Sequence, residues 1–298
     1  ILENPYGEVR TAIGHFIPGE EQPQLACATG HGGQQVIRLY QTTGQPQPHG
    51  WKIVAQVRAF DEAMRPLNAN GGVTLSAGDL TGDGLDELVV GQTNSPTSQG
   101  LVQVLAFKPL DEDGLAWLAH RSPLLQALAP AERLGGGVNH AIGDLDGDGK
   151  PEIIAASQGA GTSESTPAPS KVMVHRPEIQ DNRVIGFTEG ATSLTVFSNQ
   201  ENPTGAVSIA SGNLDYEVGD ELVVGTSFPP GVYSQDQIAQ IKQENPRPLI
   251  KTFKPRFDES GVLHALEPLE IAPQKQWRPF LDKEEAHSVS VDVEIINR

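Results

Sequence analysis

Aromatic residues make up only 5% of this chain, and there is a single cysteine, Cys27. With one thiol, no intrachain disulfide can form, so the fold must be held by packing, hydrogen bonds or ions. Cys27 lies in LACAT and is expected to pack as a small buried hydrophobe. No apolar run approaches the ~20 residues that span a bilayer as a helix, and no secretory leader is visible. Basic residues are outnumbered 38 to 21, for a net charge of -17. That balance excludes nucleic acid as a partner, because a phosphate backbone demands a basic face. It also excludes docking on anionic lipid. The one Asn-x-Thr, at Asn202, has Pro203 in the middle and is not a glycosylation acceptor.

What the chain has in quantity is glycine and proline, 32 and 23, interleaved with short apolar runs. Four segments repeat one pattern: GEVRTAIGHF from Gly7, GGVTLSAGDL from Gly71, GGVNHAIGDL from Gly136 and GAVSIASGNL from Gly205. The glycine before the acidic position is Gly14, Gly78, Gly143 and Gly212, at spacings of 64, 65 and 69 residues. A fixed period of this length marks a repeat architecture. Each unit holds four short runs rich in Val, Ile and Leu and bounded by turn residues, which read as strands. In the second unit they start at Val73, Glu87, Leu101 and Leu115; in the third at Val138, Glu152, Lys171 and Ser193. ELVV and EIIA are apolar throughout, as expected of strands covered on both faces.

Four strands per unit, repeated radially, build a β-propeller. The expectation is therefore an all-β fold, a single domain over 1–298 with blades at 7–70, 71–135, 136–204 and 205–272. Residues 273–298 contain the alternating run HSVSVDVEII, read as a closing strand or the start of a further blade. Propellers carry roughly four to eight blades, so the ring closes within this chain or extends beyond it. Ser234–Glu244 reads as a short inserted helix, and Thr162–Ser170 as a polar loop.

The loop after the first strand carries the chemistry. In the third unit, Asp144, Asp146, Asp148, the carbonyl of Lys150 and Glu152 stand at positions 1, 3, 5, 7 and 9. Oxygens at alternate positions can converge on one hard cation, and calcium takes six to eight of them. Zinc would need histidine or cysteine, which the loop lacks. An EF-hand needs glutamate at position 12, where this chain has Ala155. The second unit offers Asp79, Thr81, Asp83, the carbonyl of Leu85 and Glu87. The fourth offers Asn213, Asp215, Glu217, the carbonyl of Gly219 and Glu221, with Val218 in place of a glycine. Calcium is thus expected in two loops, with the fourth unit a third candidate. The first unit, with His15, Ile17 and Gly19, has lost the ion and must hold its turn by packing.

The pattern Asp-x-Asp-Gly-Asp-Gly before an apolar strand resembles the FG-GAP (VCBS-type) repeat of integrin α-subunit propellers, certain fungal lectins and many secreted bacterial proteins. The resemblance spans nearly the whole chain as four units. It implies structural calcium in the loops joining the first two strands, and partner binding on the blade faces or rims. The family's Phe-Gly and Gly-Ala-Pro signatures are poorly kept, so only the loop positions are carried over.

No catalytic constellation stands out. The eight histidines are scattered. His140 reads as a hydrogen-bonded strand residue, and no nucleophile elbow or phosphate loop occurs. Trp51 and Trp117 fall in fourth strands, usually the outer ones, which leaves two readings: exposed contact residues or, preferred here, partial burial between blades. The functional expectation is a non-enzymatic, calcium-binding propeller for extracellular recognition, adhesion or assembly, with a protein or glycan ligand. The alternatives are the propeller portion of a secreted carbohydrate-active enzyme, such as a polysaccharide lyase, and a structural subunit that self-associates through exposed strand edges.

Overall fold

The computed structural model describes residues 8–30, 32–45, 50–61, 71–95, 97–128, 136–159, 170–189, 193–202, 205–227, 249–259 and 261–269. All of their regular structure is β. Four antiparallel sheets follow one another along the chain, each in simple meander order. Blade 1 contains β1 (Val9–Gly14), β2 (Gln24–Thr29), β3 (Val36–Thr42) and β4 (Trp51–Arg58). Blade 2 contains β5 (Val73–Gly78), β6 (Glu87–Gln92), β7 (Leu101–Phe107), β8 (Leu118–Arg121) and β9 (Leu125–Gln126). Blade 3 contains β10 (Val138–Gly143), β11 (Glu152–Ser157), β12 (Ser170–Gln180), β13 (Arg183–Glu189) and β14 (Leu194–Phe197). Blade 4 contains β15 (Val207–Gly212), β16 (Glu221–Thr226), β17 (Ile250–Phe257) and β18 (Leu263–Pro268).

The sheets are stacked face to face with their first strands side by side: β1 meets β5, β5 meets β10, and β10 meets β15. That is the blade arrangement of a propeller. The core is correspondingly three apolar layers, one per seam. Ile37, Leu39, Leu88 and Leu105 fill the first; Val89, Val104, Ile153 and Met173 the second; Ile154, Val174, Leu222 and Val224 the third. Each fully covered aliphatic side chain contributes about 2 kcal/mol by leaving water. As the apolar runs predicted, β6, β11 and β16 are buried along their whole length.

Three expectations need correction. The fourth strand of blade 3 is Arg183–Glu189, not the run from Ser193. Leu194–Phe197 instead pairs with the first residues of β12, so two segments in series share that strand's outer edge. Blade 2 divides its outer edge in the same way between β8 and β9. Second, Trp51 and Trp117 are 44% and 59% exposed. Trp51 begins the outer strand of blade 1, and the Trp117 indole donates to Asp111 at the blade margin, 2.7 Å away. Third, Cys27 is only half-buried, because its face of blade 1 also carries exposed Val9 and Ile13. The expected helix at Ser234–Glu244, most of the polar loop at Thr162–Ser170 and the run from His287 lie outside the described residues.

Candidate metal centre

One hydrogen bond recurs in every loop and explains the acid at position 9 of loops 2, 3 and 4. The buried Glu87, Glu152 and Glu221 each accept from the backbone N–H at position 2, at Leu80, Leu145 and Leu214, at 2.9, 2.9 and 2.7 Å. These glutamates pair across from the glycines that end β5, β10 and β15. In blade 1 that place, opposite Gly14, belongs to Gln24, whose amide oxygen accepts from Phe16 at 2.9 Å. The staple is kept while the charge is gone. Phe16 and Ile17 are buried there, so apolar side chains fill the loop where a ligand would stand.

Loop 3 gathers the strongest acid cluster. Oxygens of Asp144, Asp146 and Glu152 lie within 4.8 Å of one another. The Asp148 carboxylate is exposed and accepts from the Lys150 N–H at 2.8 Å, so it stands apart from that trio. Asp144 Oδ2 accepts from Gly149 N at 2.9 Å, while its Oδ1 is buried with no hydrogen-bond partner. A buried carboxylate oxygen without a donor costs free energy, and a bound cation would satisfy it. Burial pushes Glu152 up to about 7, with Asp146 and Asp144 adding repulsion and the Leu145 N–H and Arg176 opposing it. Arg176, from β12, pairs with Asp146 and stands 3.3 Å from Glu152, while its guanidinium also lies 5.7 Å from the centre of the Phe257 ring. The donor set is oxygen only and dense in carboxylates, which fits calcium.

Loop 2 has the same winding but a looser set. Asp79 accepts from Gly82, Asp83 and Gly84, at 2.7, 3.2 and 2.8 Å. Thr81 reaches Glu87 at 3.3 Å, and Asp83 accepts from Leu85 N–H at 3.0 Å. Asn182, at the tip of the β12–β13 hairpin, reaches Asp83 from blade 3 at 3.3 Å. Burial raises Glu87 to about 7, with repulsion from Asp83 and Asp79 behind it. In loop 4, Asn213 is tied to the loop itself: its amide donates to Glu217 O at 2.6 Å and accepts from Tyr216 N at 2.7 Å. Lys254, from β17, sits among Asp215, Glu217 and Glu221.

The sequence reading missed the residues that tie one loop to the next. Asp86, at position 8 of loop 2, accepts from His15 N at 2.7 Å and donates its own N–H to His15 O at 2.9 Å. Asp220, at position 8 of loop 4, does the same with Asp144, at 3.0 and 2.7 Å. The signal was present, since aspartate recurs at that position. Loop 3 has Pro151 there, which has neither the carboxylate nor the N–H. The seam between blades 2 and 3 is joined instead through β10. His140 stands between Ser76 and Thr74, at 2.6 and 3.0 Å, and Asn94 bridges to Gly137, Gln158 and Gly159. Burial lowers His140 to about 4, so it works as a neutral hydrogen-bonding group.

The FG-GAP repeat family model matches residues 71–105, which run from the approach to β5 through loop 2 to β7. No curated protein matches the chain in sequence. Among solved structures, a Bacillus licheniformis rhamnogalacturonan lyase of type PL11 is similar with a TM-score of 0.44 and 12% identity, over 86% of this chain and 49% of that one. The chain thus spans about half the length of that protein.

Proposed function

We propose that this chain is a non-enzymatic, calcium-binding propeller that works outside the cell in recognition or adhesion, with calcium in loops 2 and 3 serving to clamp the blades. The observation that carries the metal reading is Asp144 Oδ1, buried and without a donor inside a cluster of three carboxyl groups. Asp144, Asp146 and Glu152 would hold the ion in loop 3, joined by Asp148 and the Lys150 carbonyl. Asp79, Thr81, Asp83, the Leu85 carbonyl and Glu87 would hold it in loop 2. Calcium supplies charge and coordination there, pinning the first strand of a blade to its second. Loops with several carboxylates and modest preorganisation suit millimolar, extracellular calcium.

A structural use of the loops leaves contact with a partner to other surfaces. Exposed Trp51, at the start of the outer strand of blade 1, and Trp117, just before the outer strand of blade 2, suit a protein or glycan ligand, since aromatic side chains anchor interfaces. The described histidines with short contacts support a non-enzymatic reading, because they join sheets: His120 contacts Val184 O at 2.8 Å and His175 contacts Ala127 O at 3.0 Å. The decisive measurement is thermal melting in excess chelator against millimolar calcium. An ion bound only by the folded state at about a hundred times its Kd adds roughly 2.7 kcal/mol. Identical melting curves would sink the calcium assignment. A glycan array and a screen of extracellular proteins address the partner.

A further inference from the structure

The third strand of every sheet passes beside the acidic loop, and one position on it differs from blade to blade. Leu25, Leu88, Ile153 and Leu222 pair with Tyr40, Leu105, His175 and Phe253. The next residues are therefore equivalent: Gln41, Ala106, Arg176 and Lys254. Ala106 brings no charge to loop 2. Lys254 brings an ammonium into the centre of loop 4, where its Nζ stands 2.5 Å from Asp215, donates to Glu217 and lies 3.9 Å from Glu221. Those three carboxylates are positions 3, 5 and 9 of the ligand pattern.

We propose that the Lys254 ammonium is the resident cation of blade 4, a covalently tethered replacement for calcium, and that loop 4 binds no metal. The inference rests on the reading of loops 2 and 3 as calcium sites, with which loop 4 shares its position-9 staple. Four observations converge on it. The lysine side chain is only 15% exposed, so its charge is held in the loop rather than in solvent. Glu221 is buried and its Oε1 has no hydrogen bond, so that oxygen faces the ammonium as its counter-charge. Asn213 brings no charge to position 1, and both its polar atoms are held by the loop backbone. The backbone is also wound differently. Loops 2 and 3 take left-handed conformations at positions 4 and 6, on Gly82, Gly84, Gly147 and Gly149, whereas loop 4 takes them at positions 4 and 7, on Tyr216 and Gly219. On that backbone three carboxylates face one point, which suits a cation that needs three acceptors. Arg176 does not do the same in loop 3, because its planar group also rests against Phe257 and leaves Asp144 Oδ1 bare.

Tyr216 belongs to loop 4, where it is 95% exposed, and makes the loop separately readable, because a phenol near a bound terbium ion sensitises its emission. Terbium, as a calcium substitute, is added to the wild type, Tyr216→Phe, Lys254→Met and the double variant. In the wild type, emission is expected to be the same with and without Tyr216. Lys254→Met is expected to bind one more ion by equilibrium dialysis and to gain emission that depends on Tyr216. In chelator it should melt about 5 °C below the wild type and recover on addition of calcium. Tyr216-dependent emission in the wild type overturns the proposal, and so does a Lys254→Met protein that takes no additional ion. If Lys254→Met does not fold, the wild-type pair alone decides. A wild type that binds no calcium at all refutes the reading of loops 2 and 3, and it does so without touching the comparison between Lys254→Met and its parent.

Discussion

Loops 3 and 4 start from nearly the same backbone plan and solve the same problem differently. Each turns from the first strand of a blade to its second, and each buries a glutamate on the N–H of position 2. Each therefore faces the electrostatic cost of several carboxylates in a small volume. Loop 3 leaves an acid oxygen without a partner and keeps glycine at both left-handed positions. Loop 4 admits a lysine and tolerates Tyr216 at φ 64°. Blade 1 offers a third solution, with Gln24 for the glutamate and Ile17 in the ligand's place. The turn, then, is set by the staple and the strand register, and the acidic residues only decide what must neutralise it.

The contrast between the two loops can be tested by breaking each in turn. The largest effect is expected from Asp146→Ala, which should remove one calcium ion and cost about 3 kcal/mol in millimolar calcium. Glu217→Ala, at an exposed position of loop 4, should cost less than about 0.5 kcal/mol in the same denaturant titration. Equal losses would erase the distinction between the loops.

A smaller effect is expected from pH. The folded pKa of Glu152, about 7, lies above its ordinary value of 4.5, so the metal-free folded state holds more protons than the unfolded one between those limits. In chelator, stability should be greatest below pH 4.5 on this account and fall as pH rises through 7. The contribution is on the order of 2 kcal/mol, since water reaches part of the loop. Glu152→Gln should remove its share of that slope and leave the share of Glu87, which is raised in the same way. His140 works the other way: its folded value, near 4, lies below 6.5, so stability is lost as pH falls through that window. Denaturant melts from pH 4 to 8 separate the two, because only the first responds to Glu152→Gln.

The smallest effect is expected from Tyr216→Gly. A non-glycine residue in the left-handed region costs roughly 1–2 kcal/mol, offset by the greater freedom glycine gives the unfolded chain. A net gain of about 0.5 kcal/mol is expected by the same titration. A loss would mean that the Tyr216 side chain holds the loop.

The repeat made most of the fold readable. Glycine-bounded apolar runs identified the second strands, because those strands are covered on both faces and keep their polar side chains to the two ends. The outer edge was harder. Arg183–Glu189 carries Arg183 and Glu189 at its ends, and its hairpin turn is Asp181-Asn182, with φ of 50° and 54°. That turn lacks the glycine that usually betrays such a geometry. The acidic loops were readable because their carboxylates are local, within nine residues. Lys254 and Arg176 were not, because 24 or more residues separate them from the acids they meet, Glu152 being the nearest in sequence to its partner. Only strand register brings them back, and register is a property of pairing rather than of composition.

Pro151 also has a mechanical consequence. The paired hydrogen bonds of Asp86 and Asp220 lock blade 1 to blade 2 and blade 3 to blade 4 at their loops, like staples at alternate folds of a fan. At the crease between blades 2 and 3 the loop staple is absent. There Asn182 reaches Asp83 from the next blade at 3.3 Å, and the bonds around His140 and Asn94 hold the crease farther in, so this seam is tied by a hairpin tip and strand side chains rather than by a loop-to-loop pair.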